Sequence, residues 1–556
     1  MEEIESNREE SLNKDNKTSG DTVFWADIAT VNFEGYGISR SRLENYKKKE
    51  EDSKKENTQS LNKSKRKYKL LIPYALEGEE VLTKVKLKKR NSAICFPPIK
   101  ILNENPMRVK PICPYFGKCG GCFFEHIAYE KQLELKKNLL KELFFSRDNK
   151  SNLGAKDKPT SPDSCDDPLD LDGKPLQIYG AKNQFGYRNR LDLTITNDCG
   201  DENNNNAHDN SKSKEEDESG SSNNSDNKNI NHNEINTKEE STQKSVAFRE
   251  RGTYWKTIPI KSCAIALPNI NSMIRRLNLF LSSSKSSAYD NRKKEGTMRF
   301  FVVRAGENTG DRSLGILLSK NNETKEAITE FKSFCQKEKI ENCYVMLTAS
   351  LSDVSVSTEY IQIKGEGHFT EKVLENMLRV PNTGFFQVNT KGFEELLLKA
   401  KEELLLSDER LCKKEAIDLF CGVGTITLSL ANLFKKVTGY EIEENSVSMA
   451  NKNAIDNKIN NVEFRQMDLL KKGNLSTVDF SNKILILDPP RAGIGNQLIK
   501  KINLEMPKNI LYISCNPKSQ VQDIKGLKGY KIKSQFAFDI FPQTPHLENV
   551  LILERN

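Results

Sequence analysis

The last third of the chain alternates between strand-like and helix-like segments, and no other sequence feature restricts the fold as strongly. The strand-like segments are EAIDLF, KVTGYEI, VEFRQMD, KILILDPP, NILYISCN, KIKSQFAFDIF and NVLILER. Strands separated by helical sequence form mainly parallel sheets with helices on both faces. We therefore predict an α/β domain over residues 381–556, in which the final strand runs back antiparallel to its neighbours.

The ends of these strands carry residues suited to a nucleoside ligand. The first strand leads into the glycine turn CGVG, which lets the backbone approach a ligand closely. Glu441 ends the second strand, where a carboxylate can accept both hydroxyls of a ribose, and Asp468 and Asp488 end the third and fourth. Thr427 stands where a dinucleotide-binding pattern has its third glycine. The glycine turn and the acidic strand ends therefore favour S-adenosylmethionine over a nicotinamide cofactor.

A thiol and a carboxylate are predicted at the same edge of this sheet. Cys515 ends the fifth strand, and Glu548 begins the antiparallel final strand. Beside a methyl donor, this pair suits methylation at carbon 5 of uracil, in which a thiolate adds to carbon 6 and a base later removes the carbon 5 proton. A single cysteine at a strand end is more often a small buried hydrophobe, but the shared edge favours the catalytic interpretation here.

Four cysteines outside this domain form a candidate metal site. Cys113, Cys119 and Cys122 lie close together in CPYFGKCGGC, and we predict Cys263 in IPIKSCAIA as the fourth ligand. Clustered thiolates bind zinc or an iron–sulfur cluster, and the spacing favours neither. The other cysteines are interpreted as structural or packing residues, or as poor candidates in low-complexity sequence: Cys95, Cys335, Cys343, Cys412, Cys421, Cys165 and Cys199.

Changes in composition divide the rest of the chain. We predict a disordered tail over residues 1–20, a small β-barrel over 21–108 and a central α/β domain over 109–380. Low-complexity inserts are predicted at 46–66, 146–168 and 198–244, because such sequence cannot bury enough apolar surface to offset chain entropy. The segments QFGYRNRLDLTIT and VAFRERGTYW, on either side of the last insert, should pair as strands.

Composition narrows the partners and the compartment. The chain has 86 Lys and Arg against 78 Asp and Glu, a formal net charge of +8, which is compatible with a phosphate-bearing partner but does not establish one. The sequence contains no run of about 18 apolar residues, so no membrane span is predicted. The polar first twenty residues resemble no export signal, and twelve cysteines without one indicate a reducing compartment, so we predict a cytoplasmic protein.

Six motifs together resemble the bacterial-type RNA uridine-5 methyltransferases, most closely the branch that acts on 23S ribosomal RNA. They are CPYFGKCGGC, FFQVN, DLFCGVGT, LDPPRAG, YISCNP and HLENVLI, in family order. The resemblance runs from about Val23 to the end, apart from the inserts. It implies a Rossmann-like class I methyltransferase domain, a TRAM-like (OB-like) RNA-binding barrel at the N-terminus, and a four-iron, four-sulfur cluster in the central domain.

The resemblance also implies roles for particular residues. Cys515 matches the nucleophile and Glu548 the base, and the four cysteines match the cluster ligands. Thr425 stands where relatives commonly have asparagine, which puts one donor contact in question. The positions matching donor-binding residues are Gln387, Phe420, Thr425, Glu441, Asp468 and Asp488.

The predicted substrate is a uridine in RNA, flipped out or already unstacked so that both faces of its ring are accessible. We rank 23S ribosomal RNA first and tRNA second, because the tRNA branch often lacks the barrel and the cluster, and we predict a monomer. Four arginines are either phosphate contacts or ordinary strand-surface cations: Arg188, Arg190, Arg249 and Arg251.

Three other functions share parts of this sequence pattern. An adenine amino-methyltransferase is disfavoured, because Arg491 rather than an aromatic residue follows Asp-Pro-Pro. A cytosine-5 enzyme would share the covalent chemistry. A non-catalytic RNA-binding or assembly factor is opposed by the presence of both Cys515 and Glu548.

Overall fold

A computed structural model of the protein describes residues 23–32, 34–39, 69–89, 92–145, 176–197, 243–253, 255–350, 357, 359–471 and 473–556. The predicted tail at 1–20 and the predicted inserts at 46–66 and 146–168 lie outside these residues. So does the insert at 198–244, except for its last two residues, and so do Cys165 and Cys199.

The N-terminal part of the chain forms a seven-stranded sheet in the order β1-β5-β6-β4-β3-β2, with β7 paired to β5. Its strands are β1 (Val23–Asp27), β2 (Thr30–Val31), β3 (Tyr36–Ser39), β4 (Lys69–Pro73), β5 (Glu80–Lys88), β6 (Ser92–Cys95) and β7 (Lys100–Leu102). A small apolar core that includes Phe24, Leu70, Ile72 and Val81 holds it together. Helix α1 (Tyr129–Phe145) and strand β8 (Gln177–Tyr179) follow in sequence.

The central part is a second seven-stranded sheet in the order β11-β10-β9-β12-β13-β14-β15. The predicted pairing across the long insert is confirmed, because β9 and β10 run antiparallel with Thr196 opposite Ser245. Two helices, α2 and α3, pack on one face through residues such as Ile274 and Phe331. The elements are β9 (Arg190–Thr196), β10 (Ser245–Arg249), β11 (Thr257–Pro259), α2 (Pro268–Ser283), β12 (Met298–Ala305), β13 (Arg312–Ser319), α3 (Thr324–Lys337), β14 (Asn342–Thr348) and β15 (Glu359–Lys364).

A hairpin and a helix lead into the C-terminal sheet, whose order is β20-β19-β18-β21-β22-β24-β23-β8. The hairpin is β16 (His368–Val373) and β17 (Asn376–Pro381), and the helix is α4 (Thr390–Ser407). The later elements are β18 (Glu415–Leu419), α5 (Thr425–Leu430), β19 (Lys436–Glu441), α6 (Glu444–Asp456), β20 (Val462–Gln466), β21 (Ile484–Leu487), α7 (Gly495–Glu505), β22 (Asn509–Ser514), α8 (Pro517–Gly526), β23 (Tyr530–Phe538) and β24 (Glu548–Arg555).

The C-terminal sheet confirms the predicted α/β architecture. Its first five strands in spatial order are parallel, and β24 runs antiparallel between β22 and β23. Both faces are covered, which explains why the strands read as continuous apolar runs. In β21, Ile484 and Ile486 contact the apolar cluster on one face, whereas Leu485 and Leu487 contact the cluster on the other.

Two elements from before residue 381 belong with this sheet: one strand pairs with it, and one helix packs on its face. Strand β8 pairs parallel with β23, so that Gln177 lies opposite Phe536. Leu140 and Phe144 of α1 are fully buried in the same apolar cluster as Tyr512 of β22. From the sequence, both elements were predicted to belong to a central domain, because neither an edge strand nor an apolar helix face identifies its partner. The predicted domain boundaries stay predictions. Among the helices described, none is long and apolar enough to span a membrane.

The packing of α1 predicts a large effect of substitutions on its buried face. We expect Phe144→Ala to lower the free energy of unfolding, measured by urea denaturation, by about 3–5 kcal/mol, because it leaves a cavity in a closed apolar cluster. The matched control is Leu398→Ala in α4, where the side chain is 54% exposed and the change should stay within about 0.5 kcal/mol. Equal stability of the two variants would contradict the packing of α1 on the C-terminal sheet.

Candidate active site

A cavity of about 1310 Å³ opens at the carboxyl ends of the parallel strands, between the C-terminal sheet and the central sheet. Its lining includes every residue that the sequence analysis selected as a donor-binding, catalytic or metal-binding candidate: Gln387, Phe420, Thr425, Glu441, Asp468, Asp488, Cys515, Glu548, Cys113, Cys119, Cys122 and Cys263. The structure therefore brings all twelve together, although their individual roles stay predictions.

The loop after β18 is held open toward the cavity by backbone hydrogen bonds. The amides of Phe420 and Cys421 both donate to the carbonyl of Tyr440, each at 3.0 Å. The amide of Gly422 donates to Glu441 Oε2 at 3.0 Å. Phe420 has a φ of 70°, a conformation that costs free energy in a non-glycine residue and that often occurs at functional sites. Glu441 thus orders the loop in addition to facing the cavity.

A completely buried carboxyl group, Asp418, interacts electrostatically with Asp488, which is half-buried in the cavity lining. Burial raises the pKa of Asp418 to about 7, and burial also raises the pKa of Asp488 to about 7. The hydroxyl of Thr427 donates to Asp418 Oδ2. This bond explains why Thr427 stands where a dinucleotide-binding loop has a glycine. Its hydroxyl provides a hydrogen bond to the buried carboxyl group of Asp418 in β18.

Cys515, Glu548 and Arg491 form a group of ionisable side chains in the cavity wall. Burial raises the pKa of the Cys515 thiol to about 11, with a further contribution from Glu548, while Arg491 acts in the opposite direction through its charge and a hydrogen bond. Burial, with the neighbouring Asp488, raises the pKa of Glu548 well above its usual range, and Arg491 again opposes the shift. The sequence did not predict a functional role for Arg491, although its position directly after Asp-Pro-Pro was the available signal.

The FFQVN segment is held over the cavity by the central sheet. The side-chain amide of Asn189 donates to the Gln387 carbonyl at 2.8 Å, and its backbone amide donates to the Val388 carbonyl at 2.9 Å. Asn389 caps helix α4 by accepting a hydrogen bond from the amide of Gly392 at 2.9 Å. Gln387 is therefore buried in the cavity wall at a fixed position.

The four arginines singled out in the sequence have different surroundings. Three of them line the cavity: Arg188, Arg190 and Arg249. Arg251 instead donates to the carbonyl of Cys122 at 2.7 Å and stacks over the ring of Phe123 at 4.1 Å. Arg251 thus contacts the cysteine-rich segment, and these contacts explain its positive charge by a structural role.

The four predicted metal ligands are free thiols that lie near one another. Burial is the main cause of the raised pKa of each of these thiols, but every one of the six possible pairs also interacts electrostatically. In the portion of the chain that the structure describes, no three His, Cys, Asp or Glu side chains are arranged around a single metal ion. The thiols share one region without forming a single-ion site.

A model of the family "tRNA (Uracil-5-)-methyltransferase" matches residues 256–556, which is more than half of the chain. The chain belongs to this family. It is an S-adenosylmethionine-dependent RNA uracil-5-methyltransferase, as the sequence motifs predicted.

Relatives and a solved structure support the same conclusion about the methyltransferase. It is 29% identical to a tRNA (uracil(54)-C(5))-methyltransferase of Pyrococcus horikoshii, over 86% of this chain and 94% of the relative. It is 28% identical to an uncharacterized RNA methyltransferase of Clostridium tetani, over 88% of this chain and 93% of the relative. The crystal structure of Pyrococcus abyssi tRNA (uracil-54, C5)-methyltransferase with S-adenosyl-L-homocysteine shares its fold, with a TM-score of 0.64 at 23% identity over 95% of this chain and 100% of that one.

The charges around Cys515 predict how its thiol reacts in the methyltransferase. Because only the thiolate is alkylated, the iodoacetamide rate at Cys515 should rise about tenfold per pH unit between about pH 7 and pH 9, below the raised pKa. Arg491→Met removes a cation that lowers this pKa, so the thiolate fraction and the rate should fall at every pH in that range. Mass spectrometry of the Cys515 peptide measures both. Arg465→Met, at an exposed position of β20, is the control, and equal rates in the two variants would exclude the effect of Arg491.

Proposed function

We propose that the methyltransferase methylates carbon 5 of a uridine with Cys515 as nucleophile and Glu548 as general base. The Cys515 thiolate adds to carbon 6 of uracil, which makes carbon 5 nucleophilic. Carbon 5 then takes the methyl group from the sulfonium of S-adenosylmethionine, and S-adenosylhomocysteine leaves. Glu548 removes the carbon 5 proton, the carbon 5–carbon 6 double bond reforms, and the thiolate departs.

The observation that carries this proposal is the grouping of Cys515, Glu548 and Arg491 in one wall of the cavity. Burial opposes ionisation of the thiol and of the carboxyl group, whereas the guanidinium favours the charged form of both. Glu548 Oε2 accepts no hydrogen bond from the residues the structure describes, so it is available to a substrate proton. Its raised pKa makes the ionised carboxylate a stronger base.

We propose that the methyl donor lies along the loop after β18. Glu441 would accept the ribose hydroxyls, Asp468 would face the adenine edge, and Asp488 would lie near the reacting methyl group. The Glu441 carboxylate is already oriented by the amides of Gly422 and Ile442, which supports a fixed binding position. The complete proposed donor set is Gln387, Phe420, Thr425, Glu441, Asp468 and Asp488.

We propose that Cys113, Cys119, Cys122 and Cys263 hold a four-iron, four-sulfur cluster. Their mutual proximity in the cavity lining supports a shared ligand. When bound, the cluster would supply a covalent cross-link between the cysteine-rich segment and the residues before α2. The methyl transfer balances without electron transfer, so the ligands are assigned a structural role.

We propose a tRNA uridine as the substrate, and keep 23S ribosomal RNA as the second candidate. The family resemblance favoured ribosomal RNA, because the similar tRNA enzymes often lack the barrel and the cluster. The Pyrococcus abyssi protein is named a tRNA methyltransferase, and its fold covers 95% of this chain. The presence of segments outside the C-terminal sheet is therefore no argument against a tRNA substrate. The Pyrococcus horikoshii relative carries the same kind of name, which makes uridine 54 the first position to test.

We further propose that the N-terminal sheet is a TRAM-like barrel that contacts RNA. Lys84 and Lys86 of β5 lie over the ring of Phe96, at 5.0 and 5.7 Å from its centre. Cations interleaved with an aromatic ring suit phosphates and stacked bases. Lys86 also lies beside Gly252, in the turn between β10 and β11, so this face continues on to the central part.

Product analysis tests the reaction and the substrate. Incubation with S-adenosylmethionine and unmodified tRNA should yield 5-methyluridine by nucleoside mass spectrometry, and a tRNA with cytidine at position 54 should yield none. We expect Cys515→Ala to abolish the product because carbon 5 stays unactivated, while the exposed Cys412→Ala keeps wild-type turnover. Product on 23S ribosomal RNA alone would exclude the tRNA proposal. No product on either RNA, with the donor bound, would contradict the reaction.

Metal analysis tests the cluster. Protein purified without oxygen should contain about four iron atoms and four sulfides per chain, and Cys263→Ser should lose most of them. Cys412→Ser is the matched control and should keep them. Stoichiometric zinc in place of iron would contradict the proposal and favour a single-ion site.

A further inference from the structure

The loop between β23 and β24, residues 539–547, delivers Glu548 to the cavity. Phe541, Thr544 and His546 of this loop line the cavity themselves. Gln543 has a φ of 67°, in the left-handed region that a non-glycine side chain rarely adopts. Such a conformation persists only when the surrounding structure determines it, so the contacts around the loop decide its shape.

The cysteine-rich segment supplies the first of these contacts. The amides of Phe123 and Phe124, directly after Cys122, both donate to the Gln543 carbonyl, at 2.8 and 2.9 Å. Phe124 is completely buried, and Phe123 nearly so. The strained residue of the loop is therefore bound to the backbone next to a proposed cluster ligand.

Helix α1 supplies the second set of contacts. Gln132 exchanges two hydrogen bonds with Gln543: its Nε2 donates to Gln543 Oε1 at 2.9 Å, and its Oε1 accepts from the Gln543 amide at 3.1 Å. One turn further along the helix, Lys136 Nζ pairs with Asp539 Oδ1 at 2.6 Å, and both side chains are fully buried. These two pairs join residues more than four hundred positions apart.

Tyr187 and Asn389 supply further hydrogen bonds to the backbone of the loop. The hydroxyl of Tyr187 donates to the Pro542 carbonyl at 2.9 Å, and Asn389 Nδ2 donates to the Ile540 carbonyl at 2.9 Å. Directional polar contacts therefore hold the loop on several sides. Replacing a buried ion pair by apolar residues is often neutral for stability, so its presence here is better explained by positional specificity.

We propose that Gln132 and Lys136 are positioning residues that hold the 539–547 loop so that Glu548 reaches the carbon 5 proton. This inference rests on the proposed role of Glu548 as the general base. Neither residue is among those lining the cavity, so both act through the loop.

The order of the chemical steps makes this role measurable. Glu548 acts after the methyl group has moved, when carbon 5 carries both a methyl group and a proton and carbon 6 is bonded to Cys515. If Glu548 is misplaced, the proton stays, the carbon 6–sulfur bond does not break, and a methylated protein–RNA adduct accumulates. A defect in donor binding or in thiolate attack would give no such adduct.

The experiment compares Gln132→Met and Lys136→Met with Glu548→Gln as the reference and Lys131→Met as the matched control. Lys131 lies on α1 and pairs with Glu134 at the surface. Adducts are quantified on denaturing gels with unmodified RNA and radiolabelled methyl donor, alongside donor affinity and 5-methyluridine formation. We expect both α1 variants to lose about tenfold to a hundredfold in kcat and to accumulate labelled adduct, with donor affinity unchanged, while Lys131→Met matches wild type.

The outcomes separate the two proposals. No adduct in Glu548→Gln would overturn its role as base. An adduct in Glu548→Gln but none in the α1 variants would overturn the positioning role alone. Because Lys136→Met leaves Asp539 buried without its cation, the double variant Lys136→Met with Asp539→Asn serves as a second test. Adduct accumulation in that variant supports positioning through the loop, whereas recovery of wild-type turnover would contradict it.

Discussion

The parallel alignment of five strands in the C-terminal sheet is the constraint on which the site depends. Parallel strands end at one edge, so Glu441, Asp488 and Cys515 reach the same cavity although different strands carry them. The antiparallel β24 enters between β22 and β23, and its first residue, Glu548, therefore begins at that edge. One reversal of strand direction thus sets the proposed base beside the proposed nucleophile.

Burial of ionisable groups at this edge decides the electrostatics of the site. It raises the pKa of Asp488, Glu548 and Cys515 in the cavity wall and of Asp418 next to it, so it favours their neutral forms. Arg491 is the cation that opposes this effect at both the thiol and the base. The proposed roles of Cys515 as a thiolate and of Glu548 as a carboxylate therefore depend on one guanidinium.

Parts of the chain far from the C-terminal sheet complete the surroundings of the site. The central sheet holds the FFQVN segment, β8 extends the catalytic sheet, and α1 packs on its face. The cysteine-rich segment and α1 both bind the loop that leads to Glu548. The segments proposed to contact RNA are consequently connected, by buried hydrogen bonds and ion pairs, to the segment proposed to end the reaction.

The sequence by itself determined the α/β pattern of the C-terminal part, the antiparallel last strand and the twelve predicted residues that line one cavity. Apolar periodicity and glycine turns act over a few residues, and strand ends in such a sheet share an edge whatever surrounds them. Only the tertiary structure decided that α1 and β8 belong with the C-terminal sheet, that Arg251 contacts the cysteine-rich segment, and that Gln132 meets Gln543. Those contacts join segments that are far apart in the sequence. A local pattern indicates whether a face is apolar or polar, but it does not indicate which other face it will contact.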